Sequence, residues 1–232
     1  MKICINIYGS QRDVNNTLDL VNNYIIDNNN EFYILYTGWD NEPKIYESMF
    51  QEIYVKRIKF DNEIINNYHN KYSEYKVIES YIPPKTLKYV LEGLYIKQKS
   101  IETIQSFILE KNINFDLIIT VRSDTKITDK LENFYSTITE NGLDKIYISN
   151  GYDYDVLNKG AASDFIGISN YDNTIKLLDQ INNFDQCIVE GTNLFHPETS
   201  YYRYIKWINN NIIRLNFLSF RSYEGVSRQI PF

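Results

Sequence analysis

The chain has 232 residues, of which 43% are hydrophobic and 15% aromatic, and its formal net charge is −6 at pH 7. This length suits one α/β domain over residues 1–232, with a core large enough to fold without disulfides or a structural metal. The acidic balance excludes nucleic acid as a partner, because phosphate binding needs a basic face. Lys85, Lys88, Lys97 and Lys99 form a local basic stretch, which we interpret as a solvated helix face.

Strands and helices alternate along the front half of the chain. The predicted strands are short apolar runs at residues 2–8, 32–37, 53–58 and 116–121. The predicted helices carry apolar residues at helical spacing or begin at proline, and they cover residues 13–27, 43–50 and 84–111. Residues 60–81 are polar and give no clear pattern. This alternation is typical of a largely parallel sheet with helices on both faces.

The back half of the chain is more mixed. Its predicted strands are residues 145–149, 164–169 and 212–218. Its predicted helices are residues 129–138, residues 170–181 and one that begins at His196-Pro197. The fold class predicted from both halves is α/β, with a mostly parallel central sheet flanked by helices.

Several features favour a cytoplasmic location. Every apolar run is far shorter than the ~20 residues of a membrane span. The first eight residues lack the long apolar stretch and small-residue cleavage site of a secretory signal. Cys4 and Cys187 are far apart and match neither a disulfide framework nor a zinc motif. Cys4 stands within an apolar run, which indicates a small buried hydrophobic residue.

Three polar clusters follow predicted strands at their carboxyl ends, where ligands bind in open α/β sheets. They are residues 9–13, 37–40 and 122–124. In the last cluster, Arg122 and Asp124 are predicted to share one face of the chain, because side chains alternate along an extended segment. Asp124 can ligate a hard divalent cation, and Arg122 can bind a phosphate through two N–H groups. The alternative is a structural Arg–Asp ion pair that closes the strand end.

The other two clusters offer contacts for a nucleotide. Gly9 lets the backbone approach a ligand closely, and Arg12 stands at a predicted helix start, where N–H groups attract anions. This loop has neither a dinucleotide-binding nor a P-loop motif, and an ordinary turn with a solvated arginine is its alternative. Trp39 can stack on a base and Asp40 can accept from the ring N–H of that base. The same two residues also suit a core tryptophan beside a turn.

Candidates for the acceptor side lie in the back half. Asp153, Asp155 and Asp164 lie in or after a loop with small residues, and one of them can act as general base on an acceptor hydroxyl. Loop solvation is the alternative for each. His196 can ligate a metal and Glu198 can contact the donor or the acceptor. A lone histidine is usually structural, however, and a glutamate in a first helical turn suits the helix dipole.

Taken in order, these segments resemble the GT-A glycosyltransferases, and above all their small viral and bacterial members with R-x-D in place of the usual D-x-D. The matching residues are 3–12 (ICINIYGSQR), 115–124 (FDLIITVRSD), 164–168 (DFIGI) and 196–198 (HPE). The resemblance spans most of the chain except residues 60–81, and order and spacing carry it. For a viral member, the cytoplasm is that of the infected host cell.

The resemblance implies a nucleotide-diphosphate sugar donor, such as a UDP- or GDP-sugar, and a glycan, a glycoprotein or another hydroxyl acceptor. It implies Mn²⁺ or Mg²⁺ held through Asp124, and a nucleotide pocket formed by Gly9, Arg12 and residues near Trp39. The first aspartate of the usual motif is replaced by Arg122, and an arginine can itself neutralise phosphate charge.

The expected mechanism follows from the charge of the leaving group. Loss of a diphosphate leaves a multiply anionic group, which a metal ion and arginine side chains can stabilise. Arg221 or Arg228 in the tail can close over the diphosphate as a lid. Asp164, which the resemblance places toward the acceptor, is the candidate base of an inverting enzyme, whereas a retaining enzyme needs no base there.

Other functions are compatible with the same pattern. A non-catalytic module on a transferase fold would bind a sugar or nucleotide without chemistry, and Arg122 keeps this alternative open. A sugar nucleotidyltransferase usually has a Gly-rich, basic first loop, whereas residues 9–13 contain one glycine and one arginine. A methyltransferase is a more distant alternative, because its glycine motif is missing.

Overall fold

The computed structural model describes residues 1–10, 17–19, 21–41, 53–77, 86–127, 130–151, 161–188 and 193–221. Within these ranges there are ten strands: β1 (Lys2–Tyr8), β2 (Glu31–Trp39), β3 (Ile53–Ile58), β4 (Lys76–Val77), β5 (Leu117–Arg122), β6 (Thr125–Ile127), β7 (Ile146–Gly151), β8 (Ile166–Ser169), β9 (Leu194–Phe195) and β10 (Ile212–Arg221). Eight of these strands form one sheet in the order β3-β2-β1-β5-β8-β7-β10-β6, and β4 pairs with β9 separately.

The main sheet is mostly parallel. Strands β3, β2, β1 and β5 are mutually parallel, and so are β7 and β10. Strand β8 is antiparallel to both β5 and β7, and β6 is antiparallel to β10. Six of the eight strands therefore point the same way, which confirms the predicted fold class.

The described part of the chain contains five α-helices: α1 (Asn62–Lys71), α2 (Leu87–Lys111), α3 (Glu132–Asn141), α4 (Tyr171–Leu178) and α5 (Pro197–Ile208). Helix α2 begins where the Thr86 hydroxyl accepts from the Tyr89 N–H, and it ends at Asn112, which adopts a left-handed conformation with φ of 50°. No helix in the described ranges is both long enough and apolar enough to cross a membrane.

Strand β1 lies between two hydrophobic cores, one on each face of the sheet. Ile3, Ile5 and Ile7 belong to one core, which includes residues of β5, β8 and α3. Cys4 and Tyr8 belong to the other, which α2 covers. Period-two alternation along one strand therefore supplies both cores, as expected for a sheet with helices on both faces. The predicted burial of Cys4 is confirmed.

The face under α2 becomes more polar toward the carboxyl ends of the strands. Cys4 lies between Tyr33 and Ile118 in register, whereas Tyr8 lies between Thr37 and Arg122. The row between these two is intermediate, with Asn6 between Leu35 and Thr120. The amino end of this layer is thus a core, and its carboxyl end leads into the polar clusters.

Several predicted boundaries differ from those observed. Residues 60–81, which gave no clear pattern, contain α1 and β4. In the predicted helix at residues 13–27, residues 17–19 are helical and Val21–Ile25 form one π-helical turn. The predicted helix at residues 43–50 lies outside the described residues.

The interpretation of the lysine stretch as a solvated face is wrong for Lys97. Its exposed fraction is 3%, whereas Lys88 and Lys99 are half-buried. Lys97 lies three residues after Leu94 and four before Ile101, so it belongs to the buried stripe of α2. Lys85 lies outside the described residues.

Candidate active site

The polar turn after β5 is organised by a bidentate ion pair. Arg122, the last residue of β5, donates from Nε to Asp124 Oδ1 at 2.6 Å and from Nη2 to Asp124 Oδ2 at 3.1 Å. Ser123 between them is buried, with an exposed fraction of 3%. The two charged side chains therefore meet on one side of the turn, as the alternation predicted. The structural ion pair that we considered as the alternative is also present.

Arg122 also joins this turn to the start of β8. Its Nη1 donates to Asp164 Oδ1 at 2.8 Å, and its guanidinium carbon lies 4.3 Å from the centre of the Phe165 ring. The Tyr8 hydroxyl donates to the main-chain oxygen of Asp164 at 3.3 Å. Arg122 thus joins the nearby Asp124 to the distant Asp164 in a single cluster, which we call the Arg122 cluster (Arg122, Asp124 and Asp164).

The electrostatics of the cluster favour a permanent positive charge at its centre. Burial disfavours the charged guanidinium, but Asp124 and then Asp164 outweigh that effect, so the pKa of Arg122 lies above its ordinary value. Burial raises the pKa of Tyr8, and the charge of Asp164 raises it further. Tyr8 therefore stays protonated and can keep donating its hydrogen bond. The formal charge of the cluster itself is −1.

Gly9 brings the first polar cluster against this turn. Its φ is 125°, and a Cβ placed on it would lie 2.6 Å from Ser123 Oγ. The Ser123 N–H donates to the Tyr8 carbonyl at 2.9 Å, and the Gly9 N–H donates to the Thr37 carbonyl at 3.1 Å. The backbone therefore needs a glycine here. Gly9 thus contacts residues of both other predicted clusters, Thr37 and Ser123.

Trp39, the last residue of β2, lies in an aromatic cluster. Its ring centre is 5.1 Å from that of Phe60 and 6.2 Å from that of Tyr95. Its carbonyl accepts from Arg57 Nη1 at 3.2 Å, and the following Asp40 is exposed. This packing matches the core role considered for Trp39, while the nucleotide contacts of Trp39 and Asp40 stay a prediction.

His196 has a structural role at the start of α5. It is the N-cap residue, its exposed fraction is 2%, and its Nδ1 accepts from the Thr199 N–H at 3.4 Å. Its Nε2 lies 3.3 Å from Glu198 Oε2. A neutral ring with its proton on Nε2 satisfies both contacts. The Glu198 carbonyl accepts from the Ala162 N–H at 3.1 Å, which ties α5 to the segment that leads to Asp164.

The described residues do not form a ready divalent-cation site. No group of three His, Cys, Asp or Glu side chains suited to a metal occurs among them. Both oxygens of Asp124 face Arg122, and both ring nitrogens of His196 contact other groups. A metal held by Asp124 and His196 stays a prediction that this donor set does not favour.

Other predicted site residues are described in part or not at all. Arg12, Asp153, Asp155 and Arg228 lie outside the described residues. The backbone of Arg221 pairs with Thr125, the residue that follows Asp124. The end of β10 is thus next to the Arg122 cluster, which is where the predicted lid would begin.

Sequence reasoning missed three buried polar residues beside the cluster: Tyr8, Lys97 and Tyr201. The burial of Tyr8 could have been predicted from the alternation of side chains along the strand, since Tyr8 shares a face with Cys4 and Asn6. For Lys97 the signal was its place in the apolar stripe of α2. Tyr201 gave no such signal, because its position depends on how α5 packs against the sheet.

No family model and no curated protein matches the sequence. The fold is similar to that of mouse xyloside xylosyltransferase 1 in its apo form, with a TM-score of 0.50, 8% identity, and coverage of 93% of this chain and 85% of that protein. The apo-form glycosyltransferase GlyE of Streptococcus pneumoniae TIGR4 gives a TM-score of 0.46 and 10% identity over 93% of this chain. The chain covers 45% of the GlyE chain. The likeness to the xylosyltransferase shows that the chain shares its fold.

Proposed function

We propose that the protein is a glycosyltransferase that moves a sugar from a nucleotide-diphosphate donor, such as a UDP- or GDP-sugar, to a hydroxyl of a glycan or another acceptor. The observation that carries the proposal is the Arg122 cluster at the carboxyl end of β5. In an α/β sheet this edge is where ligands bind. The glycosyltransferase fold makes sugar transfer the chemistry to test first, since a fold by itself does not establish an activity.

Arg122 is the group proposed to stabilise the leaving diphosphate. A planar guanidinium binds phosphate oxygens through paired N–H groups as it binds carboxylates. The diphosphate of the sugar nucleotide would therefore compete with Asp124 and Asp164 for the same N–H groups of Arg122. Preorganised donors of this kind typically contribute a factor of about 10²–10³ in rate each. Arg221 is proposed to close over the diphosphate from the end of β10.

Asp164 is proposed to act on the acceptor. In the transfer step the bond between sugar C1 and the diphosphate oxygen breaks, and its electron pair leaves with the diphosphate. The acceptor oxygen forms the new bond to C1, and its proton passes to the Asp164 carboxylate. Glu198, in the first turn of α5, is proposed to help position the acceptor. Gly9, Arg12, Trp39 and Asp40 are proposed to line the nucleotide pocket.

Whether transfer also requires the predicted Mn²⁺ or Mg²⁺ is tested separately. Because Asp124 is paired with Arg122, the charge stabilisation proposed here comes from the arginine. A comparison of turnover with Mn²⁺, with Mg²⁺ and with a chelator decides whether a metal is also needed. Cytoplasmic location likewise stays a prediction.

The experiment that tests the proposal is turnover of a panel of UDP- and GDP-sugars, with and without glycan acceptors, by the wild type and by Asp164→Asn. We expect release of the nucleoside diphosphate from at least one donor. Asp164→Asn should lower kcat by about 10²-fold or more while the donor KM changes little. Equal loss of kcat and donor binding would remove Asp164 as the base, and no turnover of any donor would refute the proposal.

A non-catalytic binding module is the second candidate, and one observation favours it. Nε, Nη1 and Nη2 of Arg122 all donate to carboxylates, so the cluster is closed in this structure. A module of this kind would bind a nucleotide or sugar without hydrolysing the donor. Donor hydrolysis in the absence of an acceptor would therefore rule it out.

A further inference from the structure

Lys97 is a buried cation that the proposed chemistry does not use. It projects from the middle of α2 into the polar layer above the sheet, and its exposed fraction is 3%. Its Nζ donates to Gln180 Oε1 at 3.1 Å and lies 4.5 Å from the centre of the Tyr201 ring. Isolated lysine charges are almost never buried, because the loss of hydration is unfavourable. A charge kept in such a place needs compensation nearby.

The compensation comes from the direction of the Arg122 cluster. Burial lowers the pKa of Lys97 to about 8, Asp164 and then Cys187 oppose that shift, and Arg122 adds to it. Among the described residues, Tyr201 and Gln180 also face it, and both are buried. Asp164 is therefore the carboxylate whose charge Lys97 senses. At neutral pH the ammonium is still protonated.

The layer between Lys97 and the sheet is polar and closely packed. The Lys97 carbonyl accepts from the Ser100 hydroxyl, which in turn accepts from Asn6 Nδ2 at 3.0 Å. On the other side, the Tyr201 hydroxyl would lie 3.5 Å from a Cβ placed on Gly167. Gly167 is three residues beyond Asp164. Through Tyr201, Lys97 is thus packed against the strand that begins beside Asp164.

Together with Lys97, the Arg122 cluster carries two cations and two carboxylates. The Arg122 cluster contains one cation and two carboxylates. Two partly buried carboxylates beside one arginine repel each other, and that repulsion opposes a fixed position for Asp164. A second cation, Lys97, offsets the excess negative charge.

We propose that Lys97 is a positioning residue of the site, whose buried ammonium balances the excess negative charge of the Arg122 cluster and so holds Asp164 where an acceptor hydroxyl would meet it. The part of this proposal that concerns the acceptor rests on the proposed transferase function. The electrostatic coupling between Lys97 and Asp164 does not, and it is tested separately.

The coupling is tested by titrating Lys97 in protein labelled with ¹³C at lysine Cε, in the wild type and in Asp164→Asn, with Lys97→Met to assign the signal. We expect the titration midpoint of Lys97 to fall by about half a pH unit or more when the carboxylate is removed. The midpoint of Lys99, which pairs with Glu102 at 2.5 Å on the same helix, should not move. An unchanged midpoint of Lys97 would overturn the proposal, whatever the activity of the protein.

The positioning role is tested by turnover of the donor sugar nucleotide by Lys97→Met, Lys97→Arg and the control Lys99→Met. We expect Lys97→Met to lose about tenfold or more in kcat while donor KM and melting temperature are maintained, and Lys97→Arg to recover part of the loss. Lys99→Met should match the wild type. Full kcat in Lys97→Met, or a loss that follows unfolding in both variants, would overturn the role. If the wild type turned over no donor, the proposed transferase function would be refuted instead. The titration would still test the coupling between Lys97 and Asp164.

Discussion

The two faces of the central sheet differ in what they do. On one face, Ile3, Ile5 and Ile7 of β1 are fully buried in an apolar core. On the other face, the same strand presents Cys4, Asn6 and Tyr8, and the layer becomes polar toward the Arg122 cluster. Burial on the first face is apolar, whereas the second face combines an apolar core at its amino end with buried polar and charged groups toward its carboxyl end. The predictions below test how far stability and the proposed function depend on different parts of the two faces.

The largest effect on stability is expected from Ile5→Ala on the apolar face. Removing this side chain leaves a cavity and should lower the free energy of unfolding by about 2–5 kcal/mol. Chemical denaturation measures the change. The control is Leu109→Ala on α2, where the side chain has an exposed fraction of 82% and the change should stay within about 0.5 kcal/mol. Equal losses in the two variants would contradict the assignment of the apolar face as the stabilising one.

The largest effect on activity is expected from Asp124→Ala on the polar face. We expect turnover of the donor to fall by about 10²–10³-fold, because Arg122 loses the carboxylate that orients it. Circular dichroism should show an intact fold. Asp185→Ala serves as control, since it removes an exposed ion pair with Lys71 and should leave turnover unchanged. Full activity of Asp124→Ala would mean that the site lies elsewhere.

Lys97 predicts a pH dependence of stability with a definite sign. Its pKa is about 8 in the folded chain and about 10.4 in the unfolded chain, so between these values the unfolded chain binds more protons and stability rises with pH. This rise adds roughly 3 kcal/mol to the free energy of unfolding between the two pKa values, and it is absent in Lys97→Met. The stability difference between Lys97→Met and the wild type should therefore shift by that amount, in favour of the wild type, from pH 7 to pH 10.5. A difference independent of pH would contradict the burial of the ammonium.

A smaller effect is expected where the two regions meet, at Gly9. Gly9→Ala should lower the free energy of unfolding by about 1–3 kcal/mol, because φ is 125° and the new Cβ would press on Ser123. Gly93→Ala is the matched control, since nothing lies within 4 Å of a Cβ there and the helix should gain stability. A thermal melt of both variants measures the difference. A neutral Gly9→Ala would show that the turn can relax without disturbing the cluster.

Much of the sheet was predictable because its strands are short apolar runs. The strands at residues 2–8 and 53–58 match β1 and β3, and the position of Arg122 at a carboxyl strand end followed from the same pattern. The antiparallel direction of β8 was not predictable, since apolar runs carry no direction. Helix α1 was missed because its buried residue is Ile65 alone, too few for a periodic pattern.

The candidate site was predictable only in part, for reasons of distance along the chain. Arg122 and Asp124 are two residues apart, so local geometry was enough to pair them. Asp164 is 42 residues beyond Arg122, and its contact depends on β8 lying beside β5. The burial of Lys97 was readable from the stripe of α2, but its charge suggested a solvated face. The charge of Lys97 led to a wrong prediction, whereas its position on the helix would have predicted burial.

The central claim is that the Arg122 cluster binds the diphosphate of a sugar nucleotide, and a thermal melt tests it most directly. The wild type and Arg122→Lys, which keeps the charge but loses the paired N–H groups, are melted with UDP, GDP and their sugar derivatives, with and without Mn²⁺. At about 100 times its dissociation constant a ligand adds roughly 2.7 kcal/mol, which for this length is a shift of about 5–10 °C. We expect a shift selective for one base in the wild type and its loss in Arg122→Lys. A shift that Arg122→Lys retains in full, or no shift with any nucleotide, would contradict the claim.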